Sequence, residues 1–555
     1  MSETAEMRHG GRILVDQLAL HGCERVFLVP GESYLAVLDG LVDHPDIDPV
    51  ICRQEGGAAI MAEAHGKLTG KPGICMVTRG PGATNASAGV HVAHQDSTPM
   101  ILLVGQIGRD MVDREAFQEV DYRKMFEPLC KWVGQIDDIN RIPEYISHAY
   151  HIATSGRPGP VVLALPEDML SSAAKVADAK PYVPIEAKTA PEDVARFHNA
   201  LSGAKQPIMI VGGGGWTGET TENLKSFAKR NNVAIATSFR CQDYIPNTHS
   251  HFIGDVGIAI NPDLAKFIRN SDLVILVGSR MGEMTSSGYS LLDIPCPQQK
   301  LIHVYAGPDE LGRVYRPDIA INASQRSFIR AIAMMEPVDG SAREEQIETA
   351  HASYLKFSTP LDTPGDVKMA HVVAKLRDML PDDAIVTNGA GNYAAFLHRF
   401  FRYGKYRTEL APTSGSMGYG LPASVAAKLT HPDRTVVCLA GDGCFLMHGQ
   451  EFATAVQYGA NIITIVVNNG MFGTIRMHQE RNYPGRISGT QLHNPDFAGY
   501  AKVFGGYGET VTKTEDFGPA FERAVASGKP AIIEVQVDPQ ALTPIKTLDQ
   551  IRAGS

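Results

Sequence analysis

Three doubly wound α/β domains, each a parallel sheet with helices on both faces, are predicted by three features of this sequence. The chain has 555 residues, too many for one core at roughly 150 residues per domain. Short apolar runs alternate with stretches of helical period in three blocks, the pattern of strands joined by crossover helices. Two polar, Pro-containing segments separate the blocks.

The first block runs from RVFLV at Arg25 through SYLAVLDGLVD, PVICRQ, GGAAIMAEAHGKLTG, GICMVT, a Gly-Pro-Gly turn and MILLVG, and closes with VLALP at Val162–Pro166. A Pro/Lys/Ala-rich linker follows around Ser171–Pro191. The second block contains PIMIVGGGG, the helical ETTENLKSFAKRNN, VAIATS, DLVILVG and LIHVYA. The chain is polar again between about Glu336 and Asp366, which reads as the second linker. The third block holds AIVTNG, SGSMGYGLPASVAAKL, TVVCLAGDG, CFLMHGQEFATAVQYG, IITIVVNNG and IIEVQV. The expected domains are 1–180, 190–340 and 365–545.

Composition excludes several classes. With 44% hydrophobic and 20% charged residues the chain is ordinary globular protein. A formal charge of −10 offers nothing to a phosphate backbone or an anionic membrane. The eight cysteines form no CxxC pair and mostly lie in apolar stretches, so they read as reduced core residues. The N-terminus lacks an apolar signal core, and no run is long enough to span a membrane, so the expected location is the cytoplasm.

The strongest local signal is Ala440-Gly441-Asp442-Gly443 at the end of TVVCLA, followed by a helix and then IITIVV running into Asn468-Asn469. Two strands joined through a helix are parallel and finish on the same edge of a sheet. Asp442 and Asn469, 27 positions apart, therefore stand at the carboxyl edge where doubly wound sheets bind ligands. A carboxylate and an amide oxygen, with a backbone carbonyl and phosphate oxygens, make the hard-oxygen set of Mg²⁺. Gly441 and Gly443 would let the backbone approach a phosphate. Gly-Asp-Gly alone reads equally as a sharp turn.

With 24 residues between Gly443 and Asn468, this pattern resembles the signature of the thiamine-diphosphate enzymes, in the decarboxylase and acetolactate synthase superfamily. The resemblance spans essentially the whole chain. It implies a pyrimidine-binding domain over 1–180, a central Rossmann-like domain over 190–340 and a thiamine-diphosphate/Mg²⁺ domain over 365–545. It also implies Asp442 and Asn469 as side-chain metal ligands, with Met471 giving its backbone oxygen. Glu55, directly after VICRQ, matches the glutamate that hydrogen-bonds N1′ of the aminopyrimidine; read alone it is a helix N-terminal acid. The Gly415-Ser416-Met417 stretch resembles the segment in which the Gly415 carbonyl accepts from N4′ and Met417 props the cofactor into its bent shape. The family pattern further implies a homodimer or homotetramer with active sites shared between subunits.

Substrate features point to the acetolactate synthase group, which decarboxylates a 2-keto acid and joins the product to a second carbonyl compound. Phe117 and Gln118 match residues lining its reaction centre, although that stretch also reads as a helical surface with one buried Phe. Arg280 matches the arginine that holds the second keto acid's carboxylate. His478 stands where the group has the tryptophan that sorts the second keto acid. Other departures matter. Met281-Gly282-Glu283-Met284 replaces Phe-Asp-Asp-Arg, which leaves FAD open, while Arg157-Pro158 and Gly212-Gly213-Gly214 match flavin-touching positions. Glu32 replaces a glycine and occupies the position of the catalytic aspartate in pyruvate decarboxylase-like relatives, so it is either a proton donor or a plain helix-start acid. His91 and His94 could be cleft-lining or structural.

The leading expectation is therefore acetolactate synthase-like carboligation, with a simple 2-keto acid decarboxylase or C–C lyase as the alternative. A non-catalytic nucleotide-binding module is disfavoured because Glu55, Asp442 and Asn469 are all present. A nicotinamide enzyme is weaker still, because VAIATS ends without the acidic residue that holds a ribose.

Overall fold

The computed structural model of the chain describes residues 6–554. Among these residues the chain forms three six-stranded sheets and one two-stranded ribbon, and it divides into two compact units. One comprises residues up to Ile185 with Val425–Thr430 and His448–Tyr458; the other comprises the remainder.

In the first unit, β1 (Met7–His9), β2 (Arg25–Leu28), β3 (Asp48–Ile51), β4 (Gly73–Val77), β5 (Met100–Gln106), β6 (Trp132–Gln135), β7 (Pro160–Pro166) and β8 (Ala173–Lys175) follow in chain order. The sheet has the order β3-β2-β4-β5-β7-β6, and every pairing is parallel. β4, β5 and β7 are buried throughout, because helices cover both faces; this is why they read as continuous apolar runs rather than alternating ones. The strand order reverses between β2 and β4, which opens a crevice at their carboxyl ends. The linker reading of Ser171–Pro191 needs one correction: β8 within it pairs antiparallel with β1. Arg8 ties it further, donating to the Val176 carbonyl and pairing with Asp178.

The second unit carries two sheets. The middle one contains β9 (Pro207–Val211), β10 (Ala234–Ser238), β11 (Phe252–Val256), β12 (Leu273–Val277), β13 (Lys300–Val304) and β14 (Ile319–Ile321), in the order β11-β10-β9-β12-β13-β14. The other contains β15 (Ile385–Asn388), β16 (Glu409–Leu410), β17 (Val436–Gly441), β18 (Ile463–Asn468), β19 (Tyr507–Val511) and β20 (Ala531–Gln536), in the order β16-β15-β17-β18-β20-β19. Their reversal points lie between β9 and β12 and between β15 and β17. The polar stretch read as a second linker contains a helix, Glu344–Phe357. Only Ile347 and Tyr354 of it are buried, too few apolar positions to show a period against so many charges.

Six cysteines are buried, Cys23 is half-buried and Cys296 is exposed, which corrects the expectation for Cys296 alone. Burial pushes the Cys130 and Cys438 thiols up to about 12, the range of unreactive core thiols. Among the described residues no helix is long and apolar enough to cross a membrane.

Candidate active site

At the crevice of the first unit, the turns that follow β2 and β4 are locked together. A side chain at Gly31 would place its Cβ 2.4 Å from Thr78 Cβ, and Ser33 and Thr78 share a 2.8 Å hydroxyl hydrogen bond. The Arg79 guanidinium, nearly buried, donates to Glu32 (3.1 Å), to Glu167 (2.8 Å) and to the Phe117 carbonyl (3.3 Å). Gly80 lies under Gln118: a Cβ there would come within 2.8 Å of Gln118 Cβ. Glu32, Phe117 and Gln118 are thus gathered around Arg79–Gly80. The Phe117 segment is a loop rather than a helix, with Asp113, Glu115 and Gln118 at positive φ. Phe117 is 73% exposed. Three non-glycine residues in the left-handed region within six positions mark a strained segment of the kind that surrounds functional sites.

Glu55 opens the helix Glu55–Thr69, where the Gln54 side chain caps the Gly57 N–H. Its carboxylate accepts from Asn85 Nδ2 at 2.9 Å, and a Cβ at Gly82 would lie 3.5 Å from it. The backbone just before Glu55 is pinned by Glu451, whose carboxylate accepts the N–H groups of Arg53 (3.0 Å) and Gln54 (2.9 Å). Glu451 has no exposed surface, and burial raises its carboxyl pKa while these donors and Thr454 lower it. Sequence reasoning missed both Arg79 and Glu451. His91 and His94 lie nine and twelve residues beyond Gly82 on the helix Pro81–Asp96, about 14 and 18 Å along its axis. His91 faces solvent and the His94 carbonyl accepts from Arg157, so neither histidine joins the Glu55 cluster.

In the second unit, the reversal point between β15 and β17 holds a cavity of about 240 Å³ lined by Gly391, Gly415, Met417, Asp442, Asn469 and Met471, among others. β17 and β18 are parallel neighbours with Gly441 opposite Val467, so the two motif ends meet. Asp442 is 3% exposed. It accepts from the Gly443 N–H (2.9 Å), the Gly470 N–H (2.9 Å) and Asn494 Nδ2 (2.7 Å). Burial raises its carboxyl pKa and these donors offset part of the rise. The flanking glycines are sterically required: a Cβ at Gly441 would meet the Tyr393 ring at 2.8 Å, and one at Gly443 the Phe472 ring at 2.5 Å. Gly415 is required by its φ of +67° rather than by space.

The donor chemistry fits a small hard cation. Asp442, Asn469 and Met471 all line the cavity and offer carboxylate, amide and backbone oxygens, and Asn494 Oδ1 is buried without a hydrogen-bond partner. Among the described residues no cluster of three His, Cys, Asp or Glu side chains forms a softer metal site. Asn494 was not legible in sequence; the Asn-Pro pair signals only a turn. The helix Gly473–Asn482 leaves the cavity, and its His478 is exposed. Glu480 on that helix is paired with Arg552 of the C-terminal segment at 2.8 and 2.9 Å. With Arg476 beside it, this pairing holds the Glu480 carboxyl at about 2.

At the middle sheet's reversal point the chain packs closely on itself. A Cβ at Gly213 would lie 2.1 Å from the Gly278 carbonyl oxygen. The carbonyls of Gly212, Gly213 and Gly214 accept from the Trp216 indole, the Tyr244 hydroxyl and the Gln325 amide. Arg157, in the first unit, donates to Ser97 and to the His94 carbonyl. At the middle sheet's crevice the three glycine carbonyls are thus engaged within the chain. Arg280 follows β12 there and is half-buried.

Three family descriptions match the chain: thiamine pyrophosphate enzyme, N-terminal TPP binding domain (residues 8–125), central domain (194–332) and C-terminal TPP binding domain (389–535). The chain is 31% identical to the acetolactate synthase large subunit of Corynebacterium glutamicum, over 97% of this chain and 88% of that one. It is 30% identical to the acetolactate synthase large subunit of Haemophilus influenzae, over 95% and 94% of the two chains. Identity to the acetolactate synthase isozyme 3 large subunit of Escherichia coli is also 30%, over 96% and 95%.

Proposed function

Because the chain belongs to the acetolactate synthase group of the thiamine pyrophosphate enzymes, we propose that it decarboxylates a 2-keto acid such as pyruvate and joins the product to a second carbonyl compound. The observation that carries this reading is the convergence of Asp442, Asn469, Met471, Gly415 and Met417 on one cavity at the reversal point of a parallel sheet. Thiamine diphosphate bound there supplies the electron sink for a carbanion next to a carbonyl.

In this reading Asp442, Asn469 and the Met471 carbonyl would hold Mg²⁺, which would supply positive charge for a diphosphate, while Gly441 and Gly443 would let the backbone approach it. Met417 would pack against the cofactor and the Gly415 carbonyl would accept from its aminopyrimidine. Glu55 would hold a proton at N1′, with Asn85 and Glu451 fixing the carboxylate and the chain before it. Gln118 donates to the substrate oxygen, Phe117 walls the pocket, Arg280 takes the second substrate's carboxylate and His478 lines its approach. The proposed domains are 1–180, 190–340 and 365–545. The working form is a homodimer or homotetramer in the cytoplasm, and no step requires flavin.

Glu32 favours a second outcome at the same centre, simple decarboxylation. The carbon that has lost CO₂ takes either a proton or a second carbonyl, and Glu32, held beside Phe117–Gln118 by Arg79, can supply the proton. A barrier difference of about 1.4 kcal/mol shifts the ratio tenfold. Glu32→Gly is expected to raise ligated product over aldehyde by about that factor, measured by chromatography at saturating donor. Its side chain is 67% exposed, so folding should change little. An unchanged ratio would reduce Glu32 to a partner of Arg79.

A further inference from the structure

The middle sheet reaches into the next sheet through the segment that follows β10. Gln242 Nε2 donates to the His398 carbonyl at 2.7 Å. Asp243 accepts the N–H groups of Thr408 (2.9 Å) and Glu409 (3.2 Å), fixing the start of β16. Arg240 goes further. It is only 6% exposed, its guanidinium lies 4.9 Å over the Phe239 ring, and its backbone is left-handed with φ +60°.

The two terminal nitrogens of Arg240 donate to two different loops, one to the Pro412 carbonyl and one to the Gly389 carbonyl at 3.0 Å. Gly389 directly follows β15 and leads into Ala390–Gly391 on the cavity wall. The Pro412 carbonyl also accepts the Gly415 N–H at 3.0 Å, and Gly415 lines the same cavity. One planar fork thus sets the spacing of two loops on the cavity wall, a task that a point charge on a flexible stem cannot reproduce. Removing it would leave each carbonyl with a local donor, the Gly415 N–H for Pro412 and the Asn388 amide for Gly389, but would break the link it makes between the two loops.

We propose that Arg240 is a positioning residue for the cofactor: by bridging the Gly389–Gly391 and Pro412–Gly415 loops, it holds the cavity in its binding shape. The inference rests on the reading of that cavity as the thiamine diphosphate site. It assigns the middle domain a part in binding that needs no ligand of its own.

Chemical rescue tests it on the full-length protein with Mg²⁺. Arg240→Gly suits the left-handed backbone and leaves a hole shaped for a guanidinium. It is expected to weaken thiamine diphosphate binding by about tenfold or more, with millimolar ethylguanidinium restoring most of the loss and ethylammonium little of it. Arg240→Lys should fall between parent and Arg240→Gly, and decides the question alone if the glycine variant does not fold. A purely structural role would lower the melting temperature, as Asp243→Asn should, without a rescue specific to guanidinium. Parental affinity in the folded glycine or lysine variant, or a loss indifferent to ethylguanidinium, would overturn the proposal. A parent that does not bind the cofactor would overturn the reading of the cavity itself.

Discussion

Asp442→Ala is expected to abolish Mg²⁺-dependent binding of thiamine diphosphate. Asp442 is the single carboxylate among the residues lining the cavity, so without it the protein's own remaining oxygens are neutral and only the diphosphate is left to offset the divalent charge. The change also strips the acceptor from the Gly443 N–H, whereas the Gly470 N–H and Asn494 Nδ2 keep Asn468 Oδ1 as a second acceptor. Each donor left unpaired costs about 1–3 kcal/mol where it stays buried. Asp442→Asn separates the two effects, since it keeps the volume and one acceptor but not the charge. Titration calorimetry with and without chelator is the measurement. The parent should lose affinity on chelation and both variants should be weak and indifferent to it; equal affinity in variant and parent would refute the metal assignment.

Glu55→Gln should leave the cofactor bound and slow exchange of its C2 proton by at least about 10²-fold, the lower range for general acid–base contributions and roughly 2.7 kcal/mol of barrier. The substitution keeps size and a hydrogen-bonding oxygen, so Asn85 retains its partner, and Glu451 continues to pin Arg53 and Gln54. What is lost is the exchangeable acidic proton opposite N1′. NMR of the cofactor after acid quench reads the rate directly. An undiminished rate at full occupancy would remove Glu55 from the proton path.

How much of this was legible in the sequence follows from which forces leave a local trace. Buried parallel strands must be apolar on both faces, so TVVCLAG and IITIVVN announced themselves, and the helix between them required parallel ends. The structure pairs them as direct neighbours. The Asp442 and Asn469 positions follow from that geometry. Asn494 arrives from a loop 25 residues beyond Asn469, and no periodicity connects a loop amide to the carboxylate it serves. Arg79, Arg240 and Glu451 are charged residues whose partners are distant in sequence; in a single sequence such residues look like solvated surface. The helix Glu344–Phe357 was hidden for the opposite reason, since two buried side chains leave no readable stripe. The Phe117 stretch, which reads in sequence as a helical surface, is a loop whose left-handed residues carry no glycine to mark them.

The most direct measurement is the stoichiometry of carbon in a reaction with pyruvate, thiamine diphosphate and Mg²⁺. Two pyruvates should disappear for each CO₂ released and each acetolactate formed, with the rate vanishing in Asp442→Ala. One CO₂ per pyruvate with free acetaldehyde would place the enzyme among simple decarboxylases. Cofactor-independent turnover, or no release of CO₂ from any 2-keto acid, would contradict the account.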